Sequence, residues 1–178
     1  MKYSIKAIVL ACSVSACGFA GVLETLHIKH SHRHAAPVAR ANRVTELEME
    51  QIHALIEAAA RRHGVPTALV KGIVATESNF RCNVVSPRGA VGLMQLQPST
   101  ALQYGADASV PEQNIDAGTR YLRCLIEKYR NNSNPLKCAI AAYNAGYPTV
   151  DRYKGIPPFH ETQAYVDRVL ARMREFQS

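Results

Sequence analysis

The sequence predicts an all-α chain, or one with at most a very small β element. Three observations carry that expectation. Apolar residues recur three and four apart through most of the chain, Pro and Gly punctuate those runs where helices need starts and stops, and no alternating strand pattern of useful length occurs. At 178 residues, 47% apolar and 20% charged, the chain suits one globular domain with a buried core.

The first helix is expected to open at Thr45, because "TELE" sets Thr45 as N-cap and Glu48 at the third helical position, a capping box. Leu47, Ile52, Leu55, Ile56 and Ala59 supply its apolar stripe, and Gly64 stops it. Pro66 fits the first turn of a second helix running to about Asn79. "CNVVSPRGAVGLMQLQPS" reads as a loop, with Pro87, Gly89 and Gly92 as turn residues. Pro98 opens a short helix ending near Gly105. A longer one covers about Gln113 to Tyr129, with Gly118, Tyr121, Leu122, Leu125 and Tyr129 on one side. After "NNSNP", Leu136 to Ala145 forms a helix capped by Gly146. The last runs from about His160 to Phe176, with Tyr165, Val169 and Met173 at helical spacing.

Ahead of this body, residues 1–17 read as an export signal. Lys2 and Lys6 form a basic start, and "AIVLACSV" is an apolar run too short to span a bilayer. Two cleavage modes stay open. "VSAC" resembles a lipobox that would make Cys17 an acylated first residue, whereas ordinary cleavage would follow Ala16 or Ala20. Residues 18–42 read as a flexible linker. His27, His30, His32 and His34 crowd one part of it, but without nearby Cys or carboxylate partners they read as a solvated spacer and not a metal site. The formal charge of +7 resides mainly in these two segments. Residues 43–178 hold 16 Lys and Arg against 13 Asp and Glu, without the basic stripe of a nucleic-acid module.

Within the body, Glu77 is out of place. It continues the apolar face of Leu69, Val70, Ile73 and Val74 at the end of its helix. Burial and the negative end of the helix dipole both raise a carboxyl pKa, which is what a general acid needs near neutral pH. Two further stretches hold polar groups in settings open to a ligand. "SPRGAVGLMQLQP" sets Ser86 and Gln95 among glycines that let a ligand approach the backbone, and "AIAAYNAG" puts Tyr143 on a core face with Asn144 beside the capping glycine.

"ATESNF", "SPRGAVGLMQLQPSTA" and "AIAAYNAG", in this order, with "QNIDAGTRYL" and "ETQAYVDRVL", closely resemble the soluble lytic transglycosylase family (SLT domain) of the lysozyme-like superfamily. The resemblance covers about residues 50–170 and makes 43–178 the catalytic domain, a compact lysozyme-like multi-helix fold. It implies non-hydrolytic cleavage of the MurNAc-β-1,4-GlcNAc bond of peptidoglycan glycan strands, giving 1,6-anhydromuramoyl ends, with no cofactor. Glu77 would first protonate the glycosidic oxygen and then serve as base for the muramoyl 6-hydroxyl. One acid could then suffice, whereas ordinary glycosidases use two carboxylates about 5–9.5 Å apart. Ser86 and Gln95 would contact sugar, and Tyr143 would bond to or orient Glu77 with Asn144 beside it. Glu161 and Tyr165 would line the cleft.

The chain departs from the family pattern at two places. Gln97 stands where Met is common, which leaves the adjacent sugar contact open, and "AYNAGYP" replaces "AYNAGPG" and leaves the loop after it open. The chain has no Trp, so sugar stacking would fall to Tyr or Phe. The competing functions are a goose-type lysozyme-like hydrolase and a non-catalytic peptidoglycan-binding component of an envelope-spanning secretion apparatus. The expected address is the periplasm, with membrane contact only through a lipid on Cys17. An oxidising compartment would permit one disulfide among Cys82, Cys124 and Cys138. Sequence does not choose among the three pairings; Cys82–Cys138 would tie the Glu77 and Tyr143 segments together, and three reduced thiols are the alternative.

Overall fold

Helix α2 (Thr67–Glu77) is the centre of the architecture: Leu69, Val70, Gly72, Ile73, Val74 and Ala75 are all buried. Its sequence explains why, since nearly every position of one broad face is apolar and nothing in the helix is cationic except Lys71. The computed structural model describes residues 37–177, with side chains from Glu48 onward. The export signal, Cys17 and the four-histidine tract lie outside the described residues.

The other helices are α1 (Pro37–His63), α3 (Pro98–Gln103), α4 (Pro111–Lys128), α5 (Pro135–Ala145), α6 (Tyr147–Tyr153) and α7 (His160–Glu175). α1 packs on α2 and α4, α4 on α5, and α5 on both α6 and α7. The most extensive helix pairing is α2 on α7. Gly72 permits that closeness, because a Cβ there would lie 3.0 Å from the Val169 carbonyl oxygen and 3.1 Å from the Met173 nitrogen. Among the described residues there is no strand. The segment between α2 and α3 is drawn together by two isolated antiparallel bridges, Val85 with Val91 and Val91 with Leu96. The all-α expectation with a very small β element therefore holds.

Three expectations are corrected. α1 begins at Pro37, so Thr45 and Glu48 lie inside the helix and the linker expected to reach residue 42 ends sooner; the stretch "VARANR" is rich in strong helix formers. The segment after Gly146 is not a plain loop but α6. Pro148 fits its first turn, and Val150 supplies a fully buried contact. The Cys82–Cys138 disulfide is not formed: Cys82, Cys124 and Cys138 are all free thiols. Cys82 lines a cavity beside α1 with Ile52, Leu55 and Phe80, while Cys138 is buried on α5 with its thiol donating to Asn132 Oδ1 at 3.4 Å. The two sulfurs occupy separate surroundings, and each packs as a small apolar group.

Candidate active site

Glu77 is the last residue of α2, and the chain turns sharply after it. Ser78, 1% exposed, anchors the turn by donating to the Leu93 carbonyl at 2.9 Å and the Val74 carbonyl at 3.2 Å. Asn79 and Phe80 follow in left-handed conformations, φ 50° and 60°. Two successive non-glycine residues there are costly and are held by the surrounding packing, with the Phe80 ring against His53 and Phe176. The result is a helix end fixed in position, with its carboxylate against α7.

There the Tyr165 hydroxyl donates to Glu77 Oε1 at 2.6 Å. Burial pushes the Glu77 pKa up to about 7, and the Tyr165 bond and the Arg168 charge only partly oppose it. At neutral pH Glu77 is therefore divided between its acid and base forms, which suits a group that must both give and accept a proton. Among the described residues no second carboxylate acts on it. Asp107 is bonded to Ser109, Asp116 to Arg62 and His63, and Glu127 to Arg123 and Arg130. Each is engaged elsewhere. Among the described residues no group of three or more His, Cys, Asp and Glu side chains gathers as a metal site.

Tyr143 corrects an expectation. Its hydroxyl donates to the Met94 carbonyl at 2.9 Å, not to Glu77. It stays in the electrostatic field of Glu77, and burial first, then that charge, drives its own pKa well up. The ring lies 5.4 Å from that of Tyr121, tilted by 40°, and Tyr121 in turn meets Tyr104. Tyr143 thus ties α5 to the loop before α3, and Tyr165 holds the catalytic candidate. Asn144 is half-buried beside Tyr143, and Glu161 is exposed one turn before Tyr165 in α7.

Ser86 and Gln95 share the bridged loop. The Ser86 hydroxyl accepts from the Ala90 amide at 3.0 Å, which leaves its proton for a ligand. Gln95, at φ 47°, spends both amide protons on the Val84 and Gly92 carbonyls at 3.0 Å each. Only its Oε1 is left to meet a sugar, as an acceptor. Gln97 is exposed, and its amide donates to the Arg88 carbonyl. No hydrogen bond among the described residues joins Ser86 or Gln95 to Glu77.

The residue that sequence reasoning missed is Asn114. It is 1% exposed on α4; its Oδ1 accepts from the Met94 amide, and its Nδ2 donates to the Val91 and Ala108 carbonyls, each at 2.8 Å. One side chain thereby sets the backbone on both sides of Gly92 and next to Gln95. Gly92 has to be glycine here, since at φ 79° a Cβ would fall 2.7 Å from Asn114 Nδ2. Gly118, one turn on in α4, clears room for Met94, whose Sδ would lie 2.5 Å from a Cβ. The available signal was the polar Asn114 on the same stripe as Gly118, Leu122 and Leu125.

Comparison with known proteins identifies the domain that carries these residues. The model of the transglycosylase SLT domain matches residues 54–166. The membrane-bound lytic murein transglycosylase C of Actinobacillus pleuropneumoniae serotype 5b is 34% identical over 138 residues, 65% of this chain and 38% of that protein. The protein of the same name from Haemophilus influenzae (strain PittEE) is 34% identical over 149 residues, 72% of this chain and 42% of that one. The 70 kDa soluble lytic transglycosylase of Escherichia coli superposes with a TM-score of 0.61 at 30% identity, covering 70% of this chain and 24% of that one. An inactive mutant of the lytic transglycosylase Slt of Pseudomonas aeruginosa gives 0.59 at 30% identity, covering 67% and 23%. This chain spans about two fifths of the length of those curated relatives and about a quarter of the solved chains. The matched domain takes in Glu77, Ser86, Gln95, Asn114, Tyr143 and Tyr165, and the chain belongs to the SLT-domain transglycosylase family.

Proposed function

We propose that this chain is a peptidoglycan lytic transglycosylase in which Glu77 is both acid and base. The observation that carries the reading is a buried carboxyl with its pKa near 7, fixed by Tyr165 and acted on by no second carboxylate among the described residues. In the first half-step Glu77, protonated, gives its proton to the glycosidic oxygen as the bond from the muramoyl C1 breaks. The GlcNAc hydroxyl leaves, and Glu77 is left as a carboxylate. In the second, that carboxylate removes the proton of the muramoyl 6-hydroxyl while its oxygen bonds to C1, closing the 1,6-anhydro ring. Glu77 ends protonated and no water is consumed. In this reading Ser86 orients sugar substituents as a donor and Gln95 Oε1 as an acceptor, a role supported by the proton and the oxygen that their local bonds leave over. Asn144 and Glu161 are further contacts on the α5 and α7 side.

The names of the relatives, lytic murein transglycosylases described as membrane-bound, support both the substrate and an exported, membrane-attached address. We extend that address to the periplasm, with Cys17 as the lipid-bearing residue. The test is incubation with purified peptidoglycan and mass analysis of the released fragments. Wild type should give anhydro ends, each lighter by one water than a hydrolytic product, and Glu77→Gln should lower turnover by about 10²–10⁴-fold or more. Reducing ends would point to a lysozyme-like hydrolase. Binding without cleavage would point to a non-catalytic wall-binding component.

A further inference from the structure

His53, on α1, is a titratable side chain that the chemistry above does not use. Among the described residues, its Nδ1 is the one buried side-chain nitrogen or oxygen without a hydrogen-bond partner. Folded chains rarely leave such an atom unpaired, because it has lost water and gained no bond in exchange. The ring lies 5.2 Å from that of Phe80, tilted by 47°, and Phe80 meets Phe176 edge-on at 6.0 Å and 86°. His53 is thus one layer of the packing behind the turn that follows Glu77.

The surroundings suit a neutral imidazole and resist a charged one. Protonation makes both ring nitrogens donors, so Nδ1 would hold an N–H with no acceptor on a cation removed from water. From α2, Lys71 adds a like charge. Glu57, one turn along α1, opposes it but is already bonded to Lys71 at 3.1 Å. The turn brings the Phe80 ring and Arg81, whose Nε donates to the Ser78 carbonyl at 3.0 Å. At the end of α7, Arg172 is paired with Glu175, and the Phe176 ring is what reaches Phe80. Burial first, then Lys71, hold the His53 pKa below its ordinary 6.5, and Glu57 offsets them only in part.

The turn is a place where such a group has leverage. Asn79 and Phe80 hold left-handed conformations, φ 50° and 60°, that non-glycine residues keep only under constraint. His53 and Phe176 supply that constraint through the Phe80 ring. Phe80 also borders a cavity of about 610 Å³ with Ile52, Leu55 and Cys82, so the ring has space to enter once released. Glu77 is three residues away, at the end of α2.

We propose that His53 is an acid-sensitive latch on the catalytic turn. Neutral, it keeps the Phe80 ring in place and with it the helix end that carries Glu77. Protonated, it leaves the ring for water and the turn opens. A site that resists protonation when closed and accepts it when open opens more readily as pH falls, by at most about tenfold per pH unit for one proton. The window begins near 6.5, the value of a solvated imidazole, and extends down to the lowered value of the closed form. Activity therefore has an acid limb that Glu77 does not create, because acid only fills the protonated form its first half-step needs. That limb rests on the reading of Glu77 as acid and base; the opening of the turn does not.

The test uses the full chain as wild type and as two variants. His53→Phe keeps a ring on Phe80 without a charge, and His53→Gln covers the case in which a phenyl ring does not fit. Amide hydrogen exchange of residues 78–84, compared between the proteins at each pH, reports the turn, and kcat/KM on purified peptidoglycan reports the site. From about pH 7 to about pH 5, wild type should lose protection in this segment by about tenfold relative to the variants. Its kcat/KM should fall by a similar factor while theirs stays level. Protection that changes with pH equally in all three proteins would overturn the latch, as would an acid limb that persists in both variants. A wild type that opens in acid but cleaves no peptidoglycan at any pH would leave the latch standing and remove the reading of Glu77.

Discussion

Replacing Glu77 with Gln should stabilise the protein in a pH-dependent way that can be worked out from its surroundings. Gln has nearly the same size, and its carbonyl oxygen can still accept the Tyr165 hydroxyl. The substitution therefore removes little but the ionisable group. Burial raises the Glu77 pKa from 4.5 to about 7. Between those two pH values the native state holds a proton that the unfolded chain has released, so the stabilisation from this group is complete below the lower value. It is lost as pH rises through the upper one. The shift amounts to on the order of 3 kcal/mol at most, and partial solvent access reduces it. Wild type and Glu77→Gln should thus be nearly equal at about pH 4 and diverge by about pH 8, where the variant is more stable. At ~2–4 °C per kcal/mol the gap in melting temperature is up to ~10 °C. Asp116 and Asp151, whose pKa values are lowered by their hydrogen-bonded partners, make acid destabilising in both proteins and cancel in the difference. Melting curves of both proteins across pH are the assay. A gap that is constant with pH, or reversed in sign, would refute the claim that Glu77 is buried with a raised pKa.

Other outcomes follow from the same contacts. Tyr165→Phe removes the bond that favours ionised Glu77, so the alkaline limb of kcat/KM should move to higher pH; a limb that stays or moves down contradicts the role given to Tyr165. Asn114→Ala leaves the Met94 amide and the Val91 and Ala108 carbonyls without their partner, and should cost about 3 kcal/mol or more in denaturant unfolding. Molecules that still fold should also turn over more slowly, because Gln95 loses its support. Cys17→Ser should release the protein from membranes in cell fractionation while leaving specific activity unchanged, and a variant still found in the membrane would refute a lipid on Cys17.

How much of this was legible beforehand depended on how local the cause was. The helix ending in Glu77 could be read because its periodicity and its misplaced carboxylate lie within one stretch, and the raised pKa follows from that burial. α4, α5 and α7 could be read for the same reason, α4 and α5 opening on proline and α5 closing on Gly146. α6 was hidden because Tyr147–Pro148 looks like a broken loop until Pro148 is counted as a first-turn residue and Val150 as core. The partner of Glu77 was not local information. Tyr143 and Tyr165 both stand on core faces, and which hydroxyl reaches the carboxylate is decided by how closely α7 approaches α2 over Gly72. Asn114 was overlooked because its three bonds run to residues up to 23 positions away. A pairing of Cys82 with Cys138 had only their neighbourhood to active-site segments in its favour, and packing put those thiols in different places.

The central claim is that one carboxyl, giving and then recovering a proton, cleaves the glycan without water. Running the wild-type reaction on purified peptidoglycan in water enriched in heavy oxygen tests it most directly. Ring closure by the muramoyl 6-hydroxyl predicts muramoyl ends that carry no solvent oxygen, in amounts that disappear with Glu77→Gln. Uptake of one heavy oxygen at each new muramoyl end would show that water is the nucleophile and would contradict the account.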